Sequence, residues 1–304
     1  MEPASYFLRP RHCKLFRWRC NIRRIATRVI DRSGGFHVQR HLDKKTGPGE
    51  FVCSGHGYAP IGAGRSAADQ GFTIAKEERT REKGFGDYTA ILHMVLRTAD
   101  GKEAEREMRL LELEVAGDGD KSLTVFDAPK DVEGTALLTW THKTADDDTW
   151  LYLPSLSRVK RIASNNKSGS FMGSEFAFED IGSQEVEKFT YKYLKDEKID
   201  GQDCTVVEET PVYANSGYSK IIVWRDKAEY RQQKVEYYDH RNELMKTMRL
   251  SDYKKYLEKI WFPGRYEVVN HKTGRSTTLL MKNYKFKNGY SARDFDQTSL
   301  ERTR

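Results

Sequence analysis

The sequence predicts a mainly β fold built on a strongly curved antiparallel sheet, and three observations carry that prediction. Apolar and polar residues alternate with a period of two through most of the chain after residue 85. Connections between the alternating runs are short, and Asp100-Gly101 supplies the pair that a tight hairpin favours. The long helical runs that a parallel sheet needs for its crossovers are missing.

The formal charge of +7 over 304 residues suggests a nucleic-acid partner until it is located. Residues 1–65 hold 13 of the 52 Lys/Arg and 4 of the 45 Asp/Glu, which leaves 39 basic and 41 acidic residues elsewhere. The main body is therefore close to neutral and carries no nucleic-acid signal. Three of the four cysteines, Cys13, Cys20 and Cys53, fall in the same stretch. Cys204 alone builds neither a disulfide framework nor a thiolate metal site. We expect residues 1–67 to form a basic extension without regular structure, either a targeting region or a stretch upstream of the true start. Residues 68–304 are expected to form one domain. No basic start followed by roughly 7 to 15 apolar residues marks a secretory signal, and no run of about 20 apolar residues could span a bilayer.

Within the domain, AADQGFTIAKEERTREK predicts one amphipathic helix over 68–83, stopped at Gly84. Tyr88, Ala90, Leu92, Met94 and Leu96 then share one side of a strand that turns at Asp100-Gly101 and returns over 104–115. The same alternation predicts strands at 121–126, 135–141, 150–153, 189–196, 203–209, 218–224, 232–238, 244–250, 266–270 and 276–282. Several are apolar on both sides: Leu138 and Trp140 oppose Leu137, Trp150 and Tyr152 oppose Leu151 and Leu153, and Ile222 and Trp224 oppose Ile221 and Val223. Both faces of such strands meet apolar groups. A solid core and a cavity holding something apolar explain this equally well.

No catalytic set assembles. The domain has four histidines, His93, His142, His240 and His271, none spaced as HxH or HExxH. Neither a GxSxG elbow nor a phosphate loop occurs. Gly117-Asp118-Gly119-Asp120 and Asp146-Asp147-Asp148 read as solvated turns, because they lack the alternating ligands and closing Glu of a calcium loop. Asn166-Lys167-Ser168 fits a glycosylation sequon, a pattern too short to carry weight. Neither an enzymatic activity nor a cofactor nor a metal is expected. Arg158, Lys160, Arg161 and Lys167 follow an aromatic strand and read either as a solvated turn or as a contact for lipid headgroups or an acidic partner. Phe171, Met172, Phe176 and Phe178 form a short apolar flap, either ordinary core or a lid over an open end.

Three blocks, DDDTWLYLPSLSRVKRI, SGSFMGSEFAFED and NYKFKNGYSARDFDQTSL, resemble the outer-membrane lipoprotein-sorting protein family. More narrowly, the chain is similar to the periplasmic LolA-like proteins associated with RND/MMPL-type exporters, over essentially residues 68–304. The resemblance implies a LolA/LolB-like incomplete, half-open β-barrel with short helices closing its opening, an apolar cavity for acyl chains and no covalent chemistry. It implies a periplasmic carrier or chaperone for lipid or lipoprotein acyl chains, partnered with an inner-membrane RND/MMPL-type exporter and with peripheral contact to the membrane. The alternative is an exporter adaptor that holds no ligand. In the carrier reading, Leu92, Met94, Leu138, Trp140, Trp150, Tyr152, Ile222 and Trp224 line the apolar groove. Phe171, Met172, Phe176 and Phe178 then act as lid, and Arg158, Lys160, Arg161 and Lys167 meet headgroups or the partner.

Overall fold

The structure, a computed structural model, describes residues 65–300, all within the compact unit that runs from Ala59 to Arg304. The expected extension over 1–67, with its three cysteines, lies outside the described residues except for its last three positions. Of those three, Arg65 and Ser66 lead into helix α1, Ala67–Arg81, and Ala67 begins it. Ser66 caps the helix by accepting from the Asp69 amide at 3.1 Å, and Arg79 and Arg81 suit the negative end of its dipole.

Strands β1 Asp87–Arg97, β2 Glu103–Leu113, β3 Lys121–Ala128, β4 Ala136–Trp140, β5 Asp148–Leu153 and β6 Arg158–Arg161 follow as an antiparallel meander. The first turn is the Asp100-Gly101 hairpin, where Gly101 takes a φ of +85° that a side chain would resist. A second meander runs through β7 Phe189–Ile199, β8 Gln202–Pro211, β9 Lys220–Asp226, β10 Gln232–Tyr238 and β11 Leu244–Ser251. A small hairpin, β12 Lys254–Tyr256 with β13 Ile260–Phe262, precedes β14 Arg265–Asn270 and β15 Ser276–Phe286. The last strand joins the halves: β15 pairs with β1 on one side and β14 on the other, so the two meanders become one 13-stranded sheet.

The sheet is open, which corrects the half-open barrel that the resemblance implied. Its order is β6-β5-β4-β3-β2-β1-β15-β14-β11-β10-β9-β8-β7, the edges β6 and β7 do not pair, and the sheet is not strongly curled. Several short helices were expected. Among the described residues there is one α-helix, and the other helical turns are 3-10 segments of three or four residues. The edges explain why the sheet does not close. β6 is only four residues long and carries Arg158, Lys160 and Arg161, a short charged edge of the kind that discourages further pairing. β7 is covered by α1, which approaches so closely at Gly71 that a Cβ there would stand 2.9 Å from the Tyr193 amide nitrogen.

Residues 162–188 run from β6 to β7 and strap one face of the sheet. The Glu175 amide donates to Thr277 Oγ1 on β15 at 3.0 Å, Asn270 Nδ2 on β14 donates to the Glu175 carboxylate at 2.7 Å, and Lys246 Nζ on β11 donates to the Glu175 carbonyl at 2.9 Å. The main core lies on this face, under α1 and the strap. The opposite face carries a second cluster around Leu123, Val125, Leu138, Trp150 and Tyr152, sealed by Phe295 and Leu300 from the C-terminal segment. A third cluster, Cys204, Val206 and Trp224, sits farther along that face.

Candidate ligand-binding cavity

Alternation along the strands decides what the strapped face presents. On β1, Leu92 and Met94 point to it; on β2, Met108 and Leu110; on β11, Met248 and Leu250; on β15, Leu279 and Met281. α1, the strap and the β12–β13 hairpin roof these side chains but do not fill the space beneath, which leaves a cavity of about 320 Å³. Met94, Met108, Met248 and Met281 are four of the chain's seven methionines. Such unbranched, polarisable side chains let a cavity wall adapt to occupants of different shape.

The helix end of the cavity is ionic. Ile74, Ala75, Glu78, Arg79 and Glu82 recur at helical spacing on the inward side of α1. Arg225 of β9, with 3% of its side chain accessible, donates to Glu209 of β8 at 2.6 Å and to Glu78. Burial opposes its charge, but Glu209 and Glu78 outweigh burial and leave its pKa raised. Arg79 is held in the same way by Asp120 at 2.6 Å and Glu185 at 2.7 Å. Two carboxyls are held less closely: Glu82 stands 3.8 Å from Arg79 Nη1, and Glu112 has the Tyr88 hydroxyl. Burial, reinforced by Glu78, pushes Glu82 up to about 8 against the pull of Arg79 and Arg225. Burial likewise pushes Glu112 of β2 up to about 7, although the Tyr88 hydroxyl donates to it and favours its charged form. Glu82 lines the cavity and keeps 43% of its side-chain surface accessible.

The structure divides the groove residues read from the sequence. Leu92 and Met94 line the cavity, together with Val223 from the opposite phase of β9. Leu138, Trp150 and Tyr152 lie in the second cluster, with Trp140 packed against it and donating from Nε1 to the Phe295 carbonyl at 2.7 Å. Ile222 and Trp224 belong to the third cluster, and Trp224 Nε1 donates to Glu197 at 2.6 Å. Leu137 and Leu151 share the main core with Leu92 and Met94. Of the flap, Phe171 and Phe176 line the cavity while Met172 and Phe178 pack beside the core.

The basic stretch also divides. Arg158, Lys160 and Arg161 are exposed on β6, with Arg161 paired to Asp148. Lys167 is folded in, 3.6 Å from Asp146 and 4.2 Å above the Tyr213 ring. Sequence reading took Asp120 for a solvated turn residue, yet it is buried against Arg79. Arg225, Glu209, Glu78, Glu82 and Glu112 were not singled out either. The signal was present: Glu78 and Glu82 fall on the apolar stripe of the helix, and Arg225 and Glu209 fall in phase with apolar strand positions. Among the described residues no group of His, Cys, Asp and Glu is arranged to hold a metal ion.

This fold has counterparts among known structures. An outer membrane lipoprotein-sorting protein domain from Vibrio parahaemolyticus is 50% identical and superposes with a TM-score of 0.76, over 77% of this chain and 99% of that one. The chain belongs to the outer-membrane lipoprotein-sorting protein family. A DUF1329 family protein from Desulfovibrio piger is 28% identical, with a TM-score of 0.74 over 78% of this chain and 100% of that one. A LolA superfamily protein from Nitrosomonas europaea shares the fold at 20% identity, with a TM-score of 0.61 over 75% and 97% of the two chains. A family model described as "-like: Uncharacterized protein" matches residues 118–302. No curated protein matches the sequence.

Proposed function

We propose that this protein carries lipid or lipoprotein acyl chains through the periplasm, on behalf of an inner-membrane exporter of the RND/MMPL type. The observation that carries the reading is the cavity: an unfilled space of about 320 Å³ with a methionine-rich apolar wall, roofed by α1, the strap and the β12–β13 hairpin. Each CH₂ taken from water into such a wall gains about 0.8 kcal/mol, so a chain of modest length is held firmly without a single polar contact. Release then needs movement of the roof, and the strap is suited to it. It is a segment of short 3-10 turns tied to the rest of the fold by single side-chain contacts, not by a strand ladder: through Gly173 and Glu175 to Arg275, Thr277, Asn270 and Lys246, through Glu179 and Asp180 to Tyr213, Ser216, Tyr218 and Lys246, and through Ser183 and Glu185 to Thr141 and Arg79. Phe171 and Phe176 act as the lid residues in this reading, and β6 offers Arg158 and Lys160 to headgroups or to an acidic face of the exporter.

Native mass spectrometry of gently purified protein tests the reading. Bound lipid that disappears on delipidation and returns on incubation with membrane extract is the expected result. Protein that is empty in every preparation, yet still binds the exporter, would replace the carrier with an adaptor.

A further inference from the structure

Five side-chain polar atoms are buried without a hydrogen-bond partner among the described residues, and every one is a donor. Three of them, Arg79 Nε, Arg225 Nη1 and Trp261 Nε1, belong to residues that line the cavity. The two guanidiniums stand at its helix end and are more than nine-tenths buried, with 9% and 3% of their side-chain surfaces accessible. Each is held by its other nitrogens. Arg79 Nη2 donates to Asp120 at 2.6 Å and to Glu185 at 2.7 Å, while Arg225 donates from Nη2 to Glu209 at 2.6 Å and from Nε to Glu78. A guanidinium is planar, so these bonds fix where the remaining nitrogen points and neither side chain can turn to find it a partner. Native folds leave few buried donors unsatisfied, because each is costly.

We infer that Arg79 Nε and Arg225 Nη1 are the polar anchor of the cavity and receive the carbonyl oxygen of the acyl ligand. The inference rests on the carrier reading and deepens it by fixing which way the chain lies. Four carboxylates already match the two guanidiniums, so the spare nitrogens offer hydrogen bonds rather than net positive charge. The carbonyl that heads an esterified acyl chain accepts such bonds without bringing a charge of its own. With that carbonyl at the helix end, the hydrocarbon is left to the wall of Met94, Met108, Met248 and Met281. Trp261 Nε1 is the competing donor, placed on the β12–β13 hairpin in the roof.

The test binds methyl laurate, isotopically labelled at its carbonyl carbon, to the full chain and reads the carbonyl stretch by isotope-edited infrared spectroscopy. Binding itself is followed by displacement of the neutral fluorophore N-phenyl-1-naphthylamine. The bound ester is expected to absorb at lower frequency than the same ester in hexadecane, as a hydrogen-bonded carbonyl does. Arg79→Lys and Arg225→Lys each keep the charge beside the carboxylates but remove the spare nitrogen, so the band should move back toward its hexadecane position in both. Dodecyl methyl ether has the same backbone length without the carbonyl, and the wild-type protein should prefer the ester by at least about fivefold, a preference that falls to within about twofold in each variant. The wild-type spectrum needs no variant, so a folding defect in either one does not remove the test. A wild-type band at the hexadecane position overturns the inference, as does a lowered band that survives in both arginine variants. If that surviving band is lost in Trp261→Phe, the anchor belongs to the roof instead. These outcomes leave the carrier reading intact. If neither the ester nor the ether displaces the fluorophore, the carrier reading fails and the inference falls with it.

Discussion

The two faces of the sheet are built from the same kind of strand and come to opposite ends. On the face under the C-terminal segment, Leu138, Trp150 and Tyr152 are packed solid: Trp140 and Trp150 meet edge to face at 4.9 Å, and Phe295 and Leu300 fill what remains. On the strapped face, side chains of the same apolar character line an unfilled space roofed by a helix and a loop. An apolar strand surface thus says that water is excluded and nothing about what excludes it. The discriminating feature is ionic. The unfilled face carries Arg79, Arg225 and the carboxylates that hold them, whereas the filled face gathers apolar side chains around its aromatic centre.

The largest effect should come from breaking that ionic frame. Arg225→Leu strands Glu78 and Glu209 in a buried site, and the loss of one partner of a buried ion pair costs about 3 to 5 kcal/mol. Urea denaturation should show it as a lower midpoint with an unchanged slope. A loss under 1 kcal/mol would mean that water reaches these carboxylates and that the helix end of the cavity is wet.

A matched pair of enlargements compares the faces directly. Leu138→Trp forces extra volume into a filled core and should destabilise by about 1 to 3 kcal/mol. Met248→Trp points into open space, so its stability change should stay within about 1 kcal/mol while binding of an apolar fluorophore falls at least tenfold. Equal destabilisation by both would show that the strapped face is filled too.

Much of this was legible from the sequence, and the limits are physical. Strand β1 and its hairpin with β2 were readable because alternation and the Asp100-Gly101 turn are local signals; the structure shifts the bounds of these strands by two residues at most. Helix α1 was readable for the same reason. The short edge strand β6 was not, since four residues dominated by Arg and Lys look like a solvated turn. Relative phase between strands was hidden as well. Leu138 and Leu92 are equally apolar, and only the register of β3 and β2 between them puts one on the filled face and the other on the cavity. The single 13-stranded sheet was hidden for a different cause: it depends on the union of β15 with β1, a pairing almost 200 residues apart that no local pattern announces.

The acids on the cavity face should make stability depend on pH in the direction opposite to ordinary surface carboxylates. Glu112 and Glu82 titrate near 7 and 8 in the folded protein and near 4.5 when unfolded. Between these limits the folded state binds more protons, so stability falls as pH rises from about 5 to 8 and levels off above. The pair should account for at most a few kcal/mol of that fall, because both side chains keep part of their surface accessible. Glu82→Gln/Glu112→Gln should flatten this part of a denaturation-versus-pH profile. A slope unchanged in the variant would assign it to other groups.

The smallest change in stability is expected at the edge, where the comparison turns from packing to partners. In the β5–β6 register Arg158 and Lys160 stand opposite Leu153 and Leu151, on the side of the sheet that carries the cavity, yet both remain exposed. Neither makes an ion pair among the described residues, unlike Arg161, which holds Asp148, and Lys167, which packs on Tyr213. Arg158→Glu/Lys160→Glu should therefore leave stability within about 0.5 kcal/mol, as surface changes do. The same double variant should bind anionic vesicles more weakly than the wild type at low salt, with the difference fading as ionic strength screens it. Both proteins are compared as full chains, so that the 13 Lys/Arg of residues 1–65 contribute equally to each. Unchanged vesicle binding at low salt would remove this edge from any role at a membrane. A loss of several kcal/mol would instead show that the two cations hold the edge of the sheet in place.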